Sequence, residues 1–422
     1  MKFQTVRGMR DFLPEQAAKK QWIEDTLRQQ FELFGFQPLQ TPVVEDFGLL
    51  SAKGSGGEAI RDEIYYFKDK GERELGLRFD LTVPLGRFVA ANPQLPKPFK
   101  RYQIGTVYRY DRPGAKRYRE FTQADWDIVG SSGPESDFEA IALAISAMKA
   151  LGFKEEEFFV KVNTRPLLEE AALCCGIGKD NVMECFRCLD KIDKQGEEAV
   201  RREMREKGID TRIVGQIKER NFEKIKVKDS APLLELKGLM QLLKESDLEK
   251  FVRFDLSLAR GLEYYTGVVF EVCVEGSPSV GGGGRYDRLI ETYGGPGTPA
   301  VGGSFGVDRL LDALESRIEA EAKTRVFVFA IGEKMRGEAL SLAQKIRALG
   351  INCAADLNAR SAGKNLEYAD KRGIPFAAII GENELKAKEF TLKEMKSGKE
   401  TKVKLANLKE LLPLLNKAPG GS

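Results

Sequence analysis

Two spacings of apolar residues, one typical of helices and one typical of strands, alternate along the first 166 residues. Apolar residues recur every three or four positions in residues 22–34 and 135–151, which predicts two helices that each bury one face. Alternating apolar and polar positions predict strands that pair as two hairpins, 63–67 with 75–79 and 104–110 with 119–129. Helices that accompany antiparallel hairpins are typical of an α+β domain.

The pattern changes twice further along the chain. Residues 167–249 have the spacing of charged helices and few strand signals, which predicts a helical insertion. Strand signals resume at 252–256, 268–274 and 301–305. We therefore assign residues 1–166 and 250–320 to one domain built on an antiparallel sheet. After a charged linker, residues 325–417 follow a βαβαβ order, which predicts a separate three-layer α/β domain.

Composition indicates a globular protein that stays out of membranes. Of 422 residues, 42% are hydrophobic and 31% are charged, and no apolar run approaches the roughly 20 residues that span a bilayer. The first eight residues lack the apolar core of a signal peptide, so we expect a cytoplasmic protein.

In a cytoplasmic protein the six cysteines are expected to be reduced thiols. Cys185 and Cys188 have zinc-ligand spacing and, with Cys174 and Cys175, leave a zinc site open, although their helical context favours buried thiols.

The distribution of charge and the absence of histidine limit the partners and the reactions that this chain can have. The net charge is +3, but residues 325–417 carry 18 lysines and arginines against 11 acidic residues. That excess fits a polyanionic partner and fits an ordinary lysine-rich surface equally well. The chain contains no histidine, which excludes a histidine base, a histidine-containing triad and histidine metal ligands. Any reaction must use arginine, carboxylates, tyrosine and the backbone, with or without Mg²⁺.

Basic side chains cluster where the second predicted hairpin turns. From Arg109 to Arg119 the chain has four arginines and Lys116 against one acid, Asp111. An arginine fork matches the geometry of phosphate, and Phe121 on the following strand offers a face on which a base can stack. The simpler interpretation is a salt-bridged hairpin surface, but the imbalance of charge disfavours it.

Three more segments carry groups that suit a small polar ligand. Residues 260–267 place one arginine, one carboxylate and two phenols between glycines. Residues 302–309 form a glycine-rich junction that lets the backbone approach a ligand and brings Arg309 into the following helix; the ending of a P-loop is absent. Asp80 and Thr82, at alternate spacing, can hold an ammonium. Taken singly, each segment is more often a turn, a cap or a surface group.

Taken together, these segments resemble the signature motifs of class II aminoacyl-tRNA synthetases. Residues 260–267 and 283–287 resemble the signatures of the histidyl-tRNA synthetases in particular. The resemblance covers nearly the whole chain, and residues 325–417 are similar to the family's anticodon-binding domain. It implies ATP-dependent ligation of L-histidine to tRNA(His) through a histidyl-adenylate, with ATP and Mg²⁺ required and a homodimer as the assembly.

The resemblance also implies a role for each matching residue. For ATP it implies catalytic contacts to the α-phosphate from Arg109 and Arg260, stacking by Phe121, a γ-phosphate contact from Arg309, and further contacts from Asp111 and Arg117. For histidine it implies contacts to the α-amino group from Asp80, Thr82 and Gln123, and to the imidazole from Asp127 and Tyr265 beside Tyr264, with Arg260 also touching this substrate. Asp111 stands where the family often has Glu. Asp80 and Asp127 do so as well, and their shorter side chains imply a slightly different pocket floor.

Two other functions fit the same motifs less well. A histidine-binding regulatory paralogue that does not charge tRNA would be expected to lack the C-terminal domain or the phosphate-binding arginines, and this chain keeps both. A class II synthetase for another amino acid, such as proline or threonine, is disfavoured by residues 260–267.

Overall fold

The computed structural model describes residues 3–52, 62–110, 114, 118–189, 191–258, 264–314, 317–318 and 324–415. The chain separates into two compact units, Met1–Ile318 and Glu319–Ser422. Among the described residues, no helix is long and apolar enough to cross a membrane.

The first unit is built on an eight-stranded sheet with the order β1-β5-β6-β11-β10-β9-β7-β8 and a small sheet with the order β2-β4-β3. Its strands are β1 (Gln37–Pro38), β2 (Val44–Asp46), β3 (Tyr66–Lys68), β4 (Glu74–Leu77), β5 (Phe99–Tyr108), β6 (Glu120–Val129), β7 (Phe158–Thr164), β8 (Val252–Phe254), β9 (Val268–Val274), β10 (Gly281–Arg285) and β11 (Ala300–Gly306). The large sheet is antiparallel from β5 to β7, and only its two edge pairs are parallel. The antiparallel α+β prediction is therefore confirmed.

Helices cover this sheet and fill the segment between β7 and β8. They are α1 (Pro14–Leu33), α2 (Phe47–Leu50), α3 (Thr82–Ala91), α4 (Pro134–Ala150), α5 (Arg165–Cys174), α6 (Val182–Leu189), α7 (Ile192–Gln195), α8 (Glu197–Glu206), α9 (Ile213–Gln216), α10 (Ala231–Glu245), α11 (Leu289–Thr292) and α12 (Val307–Leu314). The segment that the sequence predicts as a helical insertion contains α5 to α10. Its buried residues belong to the same hydrophobic core as the sheet.

Helix α1 packs on one face of the large sheet through residues spaced four apart. Ile23, Leu27 and Phe31 are fully buried, and the Phe31 ring stacks on Trp126 of β6 with centroids 5.8 Å apart. The sequence pattern also included Trp22 in this apolar face, but its side chain is 41% exposed. One residue turns a helix by about 100°, so Trp22 points away from the row that Ile23 begins.

Three of the four cysteines in the helical segment are buried thiols, and Cys174 is partly buried. Cys175, Cys185 and Cys188 lie in the core, and burial raises the pKa of the Cys185 thiol to about 12. Within the described chain, the one potential metal-binding cluster is Cys188 with Glu184 and Glu203. Both of these carboxylates accept hydrogen bonds from the ammonium of Lys207. The interpretation as packed thiols therefore agrees with the structure better than the zinc site.

The second unit is a mixed five-stranded sheet with the order β13-β12-β14-β15-β16. Its elements are β12 (Val326–Ala330), α13 (Arg336–Arg347), β13 (Cys353–Ala355), α14 (Ala362–Lys371), β14 (Phe376–Ile380), α15 (Glu382–Lys386), β15 (Glu389–Glu394), β16 (Glu400–Lys404) and α16 (Leu411–Leu415). Val326 and Val328 pack on the α13 side, while Phe327 and Phe329 pack on the α14 side. The predicted βαβαβ order and the three layers are confirmed, and the antiparallel β15–β16 hairpin adds to them.

Candidate active site

A cavity of about 540 Å³ opens on the sheet face that lies opposite α1. Its lining comes from β6, β10, β11, the starts of α3 and α12, and residues 277–280. Every predicted site residue that the structure describes lies in this lining: Asp80, Thr82, Arg109, Phe121, Gln123, Asp127, Tyr264, Tyr265 and Arg309. The other three predicted residues, Asp111, Arg117 and Arg260, lie outside the described residues.

Strand register brings the polar groups of the cavity together. In β6, alternate residues share a face, so Gln123, Asp125 and Asp127 point toward the cavity side while Trp126 points into the core. Asp127 stands opposite Arg101 of β5 on one side and Gly302 of β11 on the other. A Cβ at Gly302 would lie 2.1 Å from Asp127 Oδ1. Only glycine at position 302 leaves room for this carboxylate.

The carboxylate of Asp127 is held from both sides. Its Oδ2 lies 2.7 Å from the guanidinium of Arg101, a fully buried arginine, and its Oδ1 accepts a hydrogen bond from the hydroxyl of Tyr286. Burial raises the pKa of Asp127, while the Arg101 charge and the Tyr286 hydrogen bond oppose that rise. The family resemblance implied that Asp127 and Tyr265, beside Tyr264, contact the imidazole. In the structure, Arg101 and Tyr286 fix the orientation of Asp127 as well.

Three phenols form an aromatic wall beside Asp127. The ring of Tyr264 lies 4.8 Å from Tyr265 and 5.8 Å from Tyr286, measured between centroids, and all three residues are buried. Burial raises the pKa of Tyr264 and Tyr286 well above the usual value. Their hydroxyls therefore stay protonated and can both donate and accept hydrogen bonds. Such a wall suits a flat polar ring with hydrogen-bonding edges.

Two buried acceptors in the cavity lining suit a ligand cation, and we refer to them as the cation subsite. Asp80 lies just before α3, and its Oδ1 accepts from the Val83 amide in the first turn of that helix at 3.0 Å. Its Oδ2 and the Oε1 of Gln123 are buried and have no hydrogen-bond partner among the described residues. Burial raises the pKa of Asp80 to about 6, and the Val83 hydrogen bond and the charge of Arg109 oppose the rise. A ligand ammonium would give both oxygens a donor and would favour the ionised carboxylate.

Cationic and aromatic side chains line another part of the cavity. The Nε of Arg109 donates to the Phe79 carbonyl at 3.1 Å, and its guanidinium lies 5.4 Å from the centre of the Phe121 ring. Arg309 on α12 donates to the Ser279 carbonyl at 2.9 Å and is largely exposed. Two arginines and an aromatic face are the groups that recognise phosphate and a base.

Asp308 ties the N-terminal segment to the edge of the cavity. Its Oδ1 accepts from Arg10 at 2.8 Å and its Oδ2 accepts from the Thr122 amide at 2.7 Å. Arg10 also donates to the hydroxyl of Tyr118, another lining residue, and its guanidinium lies 3.8 Å from the centre of that ring. These contacts join residues almost 300 positions apart, so the sequence did not reveal them.

Arg285 belongs to the scaffold of the cavity. It is buried, and its Nε and Nη2 bind the two oxygens of Asp137 at 3.1 and 2.9 Å. It also donates to the carbonyls of Ser131 and Gly133. This set of bonds joins the end of β10 to the start of α4. The run 283–287 that resembles the family signature therefore contributes Tyr286 to the cavity and Arg285 to its support.

The burial of Asp125 predicts a stability that falls as pH rises. Burial raises the pKa of this carboxyl from 3.8 to about 8; the charge of Arg101 opposes the rise and that of Asp127 adds to it. Between these values the folded chain binds more protons than the unfolded chain, so the free energy of unfolding decreases with increasing pH. Asp125→Asn removes this proton uptake. We expect its stability relative to wild type to rise by roughly 1 kcal/mol per pH unit in this window.

Urea denaturation of both proteins, followed through the first unit at several pH values between 4 and 8, measures this difference. Parallel stability profiles for the two proteins would contradict the account of Asp125.

Comparison with known proteins identifies family models, sequence relatives and solved structures that resemble this chain. The family model described as histidyl-tRNA synthetase matches residues 8–310, and the model of an anticodon binding domain matches residues 325–413. A histidine–tRNA ligase of Pyrococcus furiosus is 36% identical over 96% of this chain and 98% of its own length. The crystal structure of histidyl-tRNA synthetase from a Nostoc species superposes with a TM-score of 0.84 at 28% identity, covering 98% of this chain and 99% of that one.

A further structural neighbour bears on the regulatory alternative. A Bacillus halodurans protein, described as an ATP phosphoribosyltransferase regulatory subunit/histidyl-tRNA synthetase, superposes with a TM-score of 0.75 at 24% identity, covering 90% of this chain and 98% of that one. This likeness shows the fold alone. Because a fold does not determine a function, the side chains of the cavity and the second unit have to distinguish a synthetase from a regulatory paralogue.

Proposed function

The chain belongs to the histidyl-tRNA synthetase family, and we propose that it ligates L-histidine to tRNA(His) through a histidyl-adenylate. One observation carries the proposal: Asp80 Oδ2 and Gln123 Oε1 are buried acceptors without a donor among the described residues. The same cavity contains the Asp127 and Tyr265 side chains for a polar ring, and Arg109 for a phosphate. An ammonium, an imidazole and a phosphate are the groups that formation of histidyl-adenylate brings together.

The first step requires positioning and charge compensation. The carboxylate of histidine is ionised near neutral pH, so its attack on the α-phosphorus of ATP needs no general base. A P–O bond to the leaving pyrophosphate breaks as the acyl-phosphate bond forms. Because two anions approach each other, cations must offset their repulsion. We assign this to Arg109 at the α-phosphate and Arg309 at the pyrophosphate. Arg260 takes its role as a second α-phosphate cation from the family resemblance.

Recognition of the imidazole rests on hydrogen bonds from a rigid lining. Asp127 accepts, and the Tyr265 hydroxyl can donate or accept, so the pair suits a ring with one N–H and one bare nitrogen. A site built this way rejects side chains without such edges, because its own buried polar groups would then stay unpaired. The Arg101 and Tyr286 contacts keep Asp127 in place before the substrate arrives.

Mg²⁺ is proposed as a companion of the ATP phosphates. Helix α12 contributes Asp308 and Asp312 to the lining beside Arg309. Asp308 already accepts hydrogen bonds from Arg10 and from the Thr122 amide. Mg²⁺ at phosphate sites keeps several waters and uses one or two carboxylates together with substrate oxygens. Because Asp308 also lies 3.6 Å from the Lys20 ammonium, its charge is already compensated. An ion that arrives with ATP would therefore be held mainly by phosphate oxygens and waters, and would offset the charge of the leaving pyrophosphate.

The second step transfers the histidyl group to the terminal ribose of tRNA(His). The match of residues 325–413 to an anticodon binding domain and the excess of basic residues in 325–417 support tRNA binding by the second unit. This unit, with Arg109 and Arg309 in the cavity, favours a synthetase over a regulatory paralogue.

Family membership supports a homodimeric assembly and a location in the cytoplasm, where tRNA is charged. Val43, Val44, Tyr66 and Phe67, all more than a third exposed, offer an apolar surface for the partner subunit.

Charging assays with the full chain and with a chain ending at Ala322 test the proposal. We expect the full chain to transfer labelled histidine to tRNA(His). The shorter chain retains the cavity, so its histidine-dependent ATP–pyrophosphate exchange should stay within about threefold, while its KM for tRNA rises at least about tenfold, the equivalent of roughly 1.4 kcal/mol. Histidine binding by the full chain without transfer to tRNA would instead support the regulatory function.

A further inference from the structure

Behind the cation subsite lies a row of three hydrogen-bonded side chains, Asp125, Ser304 and Gln123. Asp125 and Ser304 stand directly opposite each other on the paired strands β6 and β11, and their side chains are hydrogen-bonded. Gln123 Nε2 donates to Ser304 Oγ at 2.7 Å. Gln123 and Ser304 line the cavity, while Asp125 is 1% exposed and lies behind them.

The order of donors and acceptors in this row of side chains determines the orientation of the Gln123 amide. A bound ammonium favours the ionised form of Asp125, which only accepts hydrogen bonds. A serine hydroxyl carries one proton, so in that state Ser304 donates to Asp125 and offers its lone pairs to the Gln123 NH₂ group. The amide oxygen of Gln123 must then face the other way. That oxygen is buried and has no partner among the described residues. Gln123 itself is only 9% exposed, so its amide is held within the wall of the cavity.

We infer that Asp125 and Ser304 are positioning residues that orient the Gln123 amide so that its oxygen, and not its NH₂ group, meets the α-ammonium of the amino-acid substrate. With the amide reversed, the NH₂ group would face the ammonium, and two donors would meet without an acceptor. The inference rests on the proposed function, because it concerns the ammonium of that substrate. It predicts an effect on the ammonium alone, since the ring and phosphate contacts involve other side chains.

The location of Asp125 supports this role over a purely structural one. Asp80 and Asp127 are already buried nearby, and their charges add to the cost of ionising a third carboxylate. An apolar or amide side chain would fill the position at lower cost. A carboxyl group that ionises beside a bound ammonium differs from both, because it can then only accept, and this determines the direction of the Ser304 hydroxyl. The Ser304 hydrogen bond favours the ionised form of Asp125, and a bound ammonium adds a further positive charge.

Binding of two ligands that differ only in the amino group tests the inference. The ligands are L-histidine and 3-(imidazol-4-yl)propionate, and calorimetry gives a Kd for each with the full chain and its variants. In wild type we expect a clear preference for histidine. Ser304→Ala should reduce that preference by about tenfold to a hundredfold, the range for one hydrogen bond to a charged group, and leave the propionate Kd within about threefold. Ser304→Thr keeps the hydroxyl and should retain most of the preference.

The outcomes separate the inference from the function on which it rests. A wild-type preference that Ser304→Ala leaves intact would overturn the positioning role while the proposed function stands. Equal weakening of both ligands by Ser304→Ala would also overturn it, because the hydroxyl would then support the cavity in general. Failure of the wild-type chain to bind histidine at all would overturn the proposed function and this inference together.

Discussion

Replacement of Arg109 by glutamine is expected to lower kcat/KM for histidine-dependent ATP–pyrophosphate exchange on the order of a thousandfold. The guanidinium is held by its bond to the Phe79 carbonyl at 3.1 Å and by the Phe121 ring at 5.4 Å. It therefore needs no reorganisation when charge develops on the α-phosphate. Glutamine keeps a polar side chain of moderate length but loses the charge and the two-pronged donor. Most of the loss should fall on kcat, because the contact strengthens in the transition state.

Arg73→Gln is the matched control for this experiment. The side chain of Arg73 is 78% exposed, pairs with Asp69 and lies outside the cavity lining. We expect this variant to exchange pyrophosphate at the wild-type rate, and both variants to keep the wild-type melting temperature. Wild-type exchange by Arg109→Gln, or an equal loss in both variants, would show that Arg109 does not act at the phosphate.

Gly302→Ala is expected to reduce histidine-dependent exchange more than about a hundredfold and to destabilise the first unit by about 1–3 kcal/mol. The added Cβ would lie 2.1 Å from Asp127 Oδ1 and 2.5 Å from the Trp126 carbonyl. The carbonyl belongs to the centre of the large sheet and cannot move aside, so the Asp127 carboxylate must. That displacement pulls it away from Arg101 and Tyr286 and removes the acceptor for the imidazole.

Gly215→Ala makes the same chemical change where space is open. Nothing lies within 4 Å of a Cβ at Gly215, which belongs to the short helix α9. Alanine favours helix more than glycine does, so this variant should be as stable as wild type or slightly more stable. Exchange assays and thermal melts of the two variants measure the contrast. Similar behaviour of both would mean that close packing at Gly302 has no part in forming the site.

Most of the fold could be predicted because it follows from local periodicity. Helix α4 and strand β6 agree with the predicted segments to within one residue at each end, and β5 begins five residues earlier than predicted. The β15–β16 hairpin was not predicted, because charged residues alternate with few apolar ones across Glu389–Glu394 and Glu400–Lys404. Trp22 was placed on the wrong side of α1, since an apolar side chain next to the buried row looks like part of it.

The candidate site likewise contains residues that local sequence could identify and residues that it could not. Arg109, Asp80 and Tyr265 lie in short motifs, and local sequence was enough to propose them. Arg101 and Ser304 become relevant only through the register of β5 and β11 against β6, which the sequence alone does not specify. Asp125 is different, because strand alternation places it between Gln123 and Asp127 on one face. Applying the two-residue period to the whole of β6 would have identified it.

The central claim is that this cavity activates histidine with ATP. The most direct test is ATP–pyrophosphate exchange by the full chain with each of the standard amino acids in turn. The account predicts exchange with L-histidine, at least about a thousandfold above the others in kcat/KM, because an unpaired polar site discriminates by that order or more. Exchange that depends equally on proline, threonine or another amino acid, or no exchange with histidine, would contradict it.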